Sequence, residues 1–128
     1  MSYYFNKVVD VSFDEAVERV TEELKNEGFG VLTDIDVTAT LKKKIDVDFR
    51  RYRILGACNP HFAHKALLAE DKIGTMLPCS VIVQETTDGG VEVAAVNPVA
   101  SMQAIENESL GETAATVQSK LKKVIERV

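Results

Sequence analysis

Hydrophobic and polar residues alternate along this chain with two different periods, which separate predicted strands from predicted helices. A period of two indicates a strand with one buried face, and steps of three and four indicate a helix with one buried stripe. The period of two predicts five strands, over residues 3–9, 31–37, 51–58, 77–86 and 91–97. The longer steps predict two long helices and two shorter helical segments, the latter over residues 38–46 and 60–72.

Both long helices have a predicted start, because a serine stands three residues before a glutamate in each, at the spacing of a capping box. Ser12 precedes Glu15, and Ser109 precedes Glu112. Gly28 ends the first helix, since glycine adopts the left-handed conformation of a helix C-terminus at little cost.

The strands differ in their expected surroundings. The second predicted strand is expected to be half buried through its alternate positions, which are Val31, Thr33, Ile35 and Val37. The third strand is expected to present one common face, formed by Tyr52, Ile54, Gly56 and Cys58. A hairpin turn at Asp88-Gly89-Gly90 connects the last two strands, which carry enough β-branched residues to be central in a sheet.

This order of elements predicts a single α+β domain over residues 1–128. The expected architecture is a two-layer sandwich in which both long helices lie against one face of a largely antiparallel sheet. Strands three to five carry apolar residues on both faces, so a fully solvated second face is not expected. We therefore predict self-association, as a homodimer, through that face or a sheet edge.

Composition narrows the class of protein and its partners. Of the 128 residues, 45% are apolar and 27% are charged, which is typical of a soluble globular domain and excludes a disordered or disulfide-stapled chain. The net charge of −5 provides no basic face, so nucleic acid is not an expected partner. We find no secretory signal and no apolar segment long enough to cross a membrane, which predicts a cytoplasmic protein with reduced cysteines.

The candidate chemistry lies around the start of the short third helix, at Asn59-Pro60, a predicted N-cap and first-turn pair. Cys58 directly precedes this helix start, where the positive end of the helix dipole stabilises a thiolate. His61 and His64 follow on one helix face, and Cys79 begins the next predicted strand. Two thiols and two imidazoles suit zinc or another borderline-soft metal, so these four residues form a candidate metal site.

Other interpretations of the same residues remain open. Cys58 and Cys79 form a candidate redox or small-ligand-binding thiol pair. Cys58 is also a candidate catalytic nucleophile with His61 or His64 as its base, although no third orienting group is evident. In the remaining alternative, both cysteines fill the core of a structural or protein-interaction domain. The sequence does not decide whether the protein is an enzyme.

The chain resembles the bacterial and archaeal domain-of-unknown-function family 302. The resemblance covers nearly the whole chain and is most specific around the two cysteines, at Leu55-Gly56-Ala57-Cys58-Asn59-Pro60, Ala66-Leu67, Ile73-Gly74 and Leu77-Pro78-Cys79. It implies a two-layer fold in the order strand, helix, four strands, helix, similar to the TATA-binding-protein architecture and often dimeric. It implies no established activity, and the missing basic saddle argues against a DNA-binding role.

Overall fold

Five antiparallel strands form one sheet, and the two longest helices pack against one face of it. The computed structural model describes residues 2–128. The strands are β1 (Tyr4–Val9), β2 (Gly30–Asp36), β3 (Tyr52–Cys58), β4 (Cys79–Glu85) and β5 (Val91–Val96). Their order in the sheet is β1-β5-β4-β3-β2. The helices are α1 (Phe13–Asn26), α2 (Val37–Ile45), α3 (Pro60–Ala69), α4 (Pro98–Ser101) and α5 (Ser109–Arg127), with a 3-10 segment at Asp71–Met76.

The hydrophobic core lies between the sheet and the pair α1 and α5, which confirms the predicted two-layer α+β architecture. Alternate positions of the three central strands point towards the helices and are almost completely buried, as at Leu55, Val81 and Val93. Full burial of each such side chain stabilises the fold by about 2 kcal/mol. The helices contribute the apolar stripes that their periodicity predicts: Ala16, Val20 and Leu24 from α1, and Leu121, Val124 and Ile125 from α5.

The prediction of a half-buried β2 is wrong for most of the strand. Val31 packs against the core, but 47% of Ile35 is exposed, and Val37 belongs to α2 instead of the strand. The register shifts between Val31 and Thr33, so Val31 stays on the core face opposite Ala57, whereas Ile35 pairs with Ile54 on the other face of the sheet.

The predicted helix ends are confirmed for α1 but not for α5. Ser12 Oγ accepts a hydrogen bond from the Glu15 backbone N–H at 3.2 Å, and Gly28 has a φ of 87°. Ser109, in contrast, is not the capping residue of α5. Asn107 Oδ1 accepts the hydrogen bond of the Ser109 backbone N–H at 3.1 Å, and the Asn107 amide donates to the Ala69 carbonyl at 2.8 Å. Asn107 therefore ties the start of α5 to the end of α3.

Helix α3 also ends earlier than its periodicity predicts. It stops at Ala69 instead of near Lys72, and the chain continues as the 3-10 segment, which contains Gly74. The buried Ile73 of this segment packs in a small second cluster with Ala66 and Leu110. Glu70, with φ −148° and ψ 104°, is extended and separates the two helical segments.

The sheet face opposite α1 and α5, called the open face below, carries an apolar row across four strands. The row follows the register of the sheet and consists of Ile35, Ile54, Ile82 and Ala94. Beside it runs a chain of hydrogen-bonded polar side chains: Asn6 and Gln84 both donate to the carboxylate of Glu92, at 2.9 and 2.7 Å. No helix within residues 2–128 has the length and apolar character needed to span a membrane.

Candidate ligand cavity

Strands β3 and β4 bring the two cysteines to the same end of the sheet. Cys58 is the last residue of β3, and the antiparallel register pairs its neighbour Ala57 with Cys79, the first residue of β4. The Asn59-Pro60 pair then turns the chain directly into α3, because the fixed φ of proline suits the first helical turn. Helix α3 therefore stands over the end of the sheet, beside α5.

A cavity of about 330 Å³ lies between α3, α5 and this end of the sheet. Its inner wall is formed by buried residues, among them Phe29, Ala57, Ala66, Leu110 and Ala114. Its rim is also apolar but exposed, with Leu32 at 68% and Leu67 at 44%. Across the described part of the chain, every side chain that lines this cavity is uncharged. The cavity therefore favours an apolar ligand, which would enter from solvent between the two exposed leucines.

Both cysteines line the cavity, and both are free thiols. Cys79 is 8% exposed, whereas Cys58 is half-buried. Burial, together with the nearby Cys58 thiol, raises the pKa of Cys79 to about 11. Cys79 is therefore protonated at neutral pH and behaves as a small, polarisable apolar side chain.

The two candidate histidines lie elsewhere on α3. His61 and His64 are both exposed, and neither lines the cavity. Among residues 2–128 no group of three or more His, Cys, Asp or Glu side chains is placed to hold a metal ion. The structure thus brings Cys58 and Cys79 to one cavity without the histidines, and the zinc site stays a prediction from the sequence.

Asn59 contributes a polar group that sequence reasoning interpreted as a helix cap. Its side chain makes no capping hydrogen bond to α3; instead, its Nδ2 donates to the Glu27 carbonyl at 3.5 Å. Asn59 is 8% exposed and lines the cavity. The sequence does not distinguish an asparagine that caps a helix from one that binds a distant carbonyl, because the Asn-Pro pair is the same in both cases.

Helix α5 also contributes to the cavity, which the sequence did not predict. Thr113, Ala114 and Val117 line its wall together with Leu110. The available signal was Ala114, a small residue in the buried stripe of α5, which otherwise carries leucine, valine and isoleucine. Small residues at buried helix positions leave space that a neighbouring element does not fill.

Comparisons with known proteins agree with this fold. The family model described as "Domain of unknown function DUF302" matches residues 5–128. The chain is also similar to the crystal structure of an uncharacterized conserved protein DUF302 from Bacillus stearothermophilus, with 30% sequence identity and a TM-score of 0.92. That similarity covers 99% of this chain and 98% of the other. No curated protein matches the chain.

Proposed function

Since the chain belongs to the DUF302 family of domains of unknown function, which carries no activity with its name, we propose a function from the cavity itself. The protein binds a small, largely apolar molecule in the space that Cys58 and Cys79 share. The observation that carries this proposal is the cavity of about 330 Å³ with an entirely uncharged lining. Small-molecule sites are concave and mostly apolar, with volumes from about 300 Å³ upwards.

The lining supports binding through the hydrophobic effect. A ligand that leaves water for this cavity gains about 25 cal/mol for each Å² of apolar surface that is buried. The exposed Leu32 and Leu67 at the rim add apolar surface that the bound ligand would cover. Exposed apolar side chains that are grouped around a cavity mark binding sites more often than exposed apolar residues scattered singly.

The thiols favour binding over redox or nucleophilic chemistry. The thiolate is the reactive form of cysteine, and a pKa of about 11 keeps Cys79 in the thiol form at neutral pH. A nucleophilic Cys58 would need a base within reach, yet His61 and His64 do not line the cavity. Two free thiols also agree with a reducing compartment, and we propose that the protein works in the cytoplasm.

Binding is tested with a fluorescent apolar probe, N-phenyl-1-naphthylamine, whose emission rises on transfer from water to an apolar site. We expect saturable binding at one site to the unmodified protein. Ala114→Leu places a larger side chain in the cavity and weakens the binding at least about tenfold, since the added methylenes occupy the ligand's space. Ala115→Leu is the matched control, because Ala115 is the exposed neighbour on the same helix and does not line the cavity.

Two results would contradict the proposal. One is the absence of saturable binding to the unmodified protein, and the other is equal weakening by both leucine variants. Either result would favour a structural or interaction domain whose cysteines only fill the core. Thermal unfolding of each variant shows that the fold is retained, and Ala63→Leu provides a second filled cavity from the α3 wall.

A further inference from the structure

We infer that the ligand of this cavity is uncharged and donates a hydrogen bond to the carboxamide oxygen of Asn59. This inference rests on the proposed function, because it specifies the chemistry of the molecule that the cavity binds. It combines three features of the structure. The largely buried Asn59 amide nitrogen donates a hydrogen bond, its oxygen accepts none, and the cavity lining is uncharged.

The orientation of the Asn59 carboxamide follows from its contact with the end of α1. Nδ2 donates to the Glu27 carbonyl at 3.5 Å. Gly28 lies against the same nitrogen, so close that a Cβ at position 28 would be 3.0 Å from it. The hydrogen-bond partner thus distinguishes the nitrogen from the oxygen of this amide, which is the criterion for such an assignment.

The carboxamide oxygen is the group left for a ligand. In the structure of residues 2–128, Asn59 Oδ1 accepts no hydrogen bond, although the residue is only 8% exposed. No fully buried side-chain oxygen in this part of the chain lacks a hydrogen bond, so Asn59 Oδ1 is accessible and still has room for a partner. Since Asn59 lines the cavity, an O–H or N–H group of a bound molecule would supply that partner.

The lining also selects the charge of the ligand. Removing an ion from water requires an opposite charge or several hydrogen bonds in return, and the uncharged cavity wall offers neither. Cys79 does not provide a charge at neutral pH, because its buried thiol keeps its proton. The ligand class is therefore a neutral molecule with an apolar body and one donor group, such as an alcohol, a phenol or an N–H heteroarene.

Indole and indene test the hydrogen bond, because they have nearly the same shape and only indole carries an N–H donor. Each is titrated as a competitor of N-phenyl-1-naphthylamine. The ratio of their dissociation constants is compared between the unmodified protein and Asn59→Leu. We expect the variant to lose about tenfold of its relative preference for indole, the loss typical of one buried hydrogen bond, while indene binding stays within about twofold. A ratio that is the same in both proteins would overturn the inference.

A second measurement needs no substitution at Asn59. The side-chain amide signals of Asn59 in a ¹H–¹⁵N spectrum should shift more with indole than with indene, and equal shifts would count against the inference. Benzyl alcohol should displace the probe and benzoate should not, and displacement by both would contradict the selection against charge. If the probe binds but neither indole nor benzyl alcohol displaces it, only the inferred ligand class fails. If the probe itself does not bind, the proposed function fails as well.

Discussion

Gly56 of β3 faces Thr33 of β2 across the sheet, and the space that a Cβ would need at position 56 is already occupied by Thr33 Oγ1. The ring of Pro78 closes the same space from the other side, with its Cγ 2.7 Å from that point. Pro78 also lines the cavity. The absence of a side chain at Gly56 thus lets the loop before β4 approach β3 at the cavity rim.

We expect Gly56→Ala to lower the free energy of unfolding by about 1–3 kcal/mol, the usual effect of an added methyl group in a filled space. Urea unfolding measures this change. Gly30→Ala is the control, because a Cβ at Gly30 has no atom within 4 Å; its unfolding midpoint should stay close to that of the unmodified protein. Equal midpoints for both variants would show that Thr33 and Pro78 move aside without cost.

The raised pKa of Cys79 predicts a loss of stability at alkaline pH. Burial raises the pKa of Cys79 from 9.0 to about 11. Below pH 9 both the folded and the unfolded protein hold this proton. Between pH 9 and 11 only the unfolded chain releases it, so the free energy of unfolding falls as the pH rises through this window. The full difference between a pKa of 9.0 and one of about 11 corresponds to on the order of 3 kcal/mol.

Cys79→Ala isolates this contribution, because all other groups that titrate in the same range are kept. Unfolding is measured under reducing conditions at pH 8 and pH 11 for both proteins. The stability advantage of the unmodified protein over the variant should shrink over this range. Parallel pH profiles would mean that Cys79 ionises as readily in the folded state as in the unfolded one.

The four-residue zinc site predicted from the sequence can be tested by elemental analysis. We expect less than stoichiometric zinc in protein that is purified without chelator, for two reasons. His61 and His64 are exposed and do not line the cavity, and Cys79 would have to lose a tightly held proton before it could bind a metal. One equivalent of zinc that disappears in a His61→Ala/His64→Ala variant would establish the metal site instead.

The predicted homodimer assigns a partner to the open face. Ile54 and Ile82 are cross-strand neighbours in its apolar row, and both remain partly exposed. We expect the mass of a dimer in sedimentation velocity at micromolar concentration, and a shift towards monomer in Ile82→Asp, because a charge buried in an apolar interface lacks a partner. Leu68→Asp is the control, since Leu68 is 75% exposed on α3. A monomer of the unmodified protein would contradict the prediction.

The architecture could be predicted because the spacing of apolar residues within each core element indicates its buried face. The apolar stripe of α1 consists of Ala16, Val20 and Leu24, and β4 and β5 are rich in β-branched residues. These patterns lie within single segments and are enough to predict which faces of the helix and the sheet pack together. Ser12 shows the same for a helix cap, because the capping bond joins residues only three apart. The similarity to the TATA-binding-protein architecture stays an expectation.

The failures concern residues whose role depends on distant partners. Ser109 and Asn107 both suit a cap, and the choice is made by the contact of Asn107 with Ala69 on another helix. Asn59 suits a cap equally well, but the end of α1 binds its amide. Edge strand β2 carries the alternation of a half-buried strand, yet the register shift places Ile35 on the open face. The order of the strands and the short helix between them predicts that the two cysteines lie near each other. The cavity beside them, in contrast, depends on how α5 packs.

The strand order has a consequence for the path by which the chain folds. Strand β1 pairs with β5, so that Tyr4 meets Val96, while the two strands at the opposite edge, β2 and β3, are closer in the sequence. Until residues 91–96 are in place, β1 has no strand to pair with. Pairings over such long sequence separations slow folding. We therefore expect the hairpin of β4 and β5 to form before β1 pairs with it. The edge of the core beside β1, at Lys7 and Val9, should be the last part to pack.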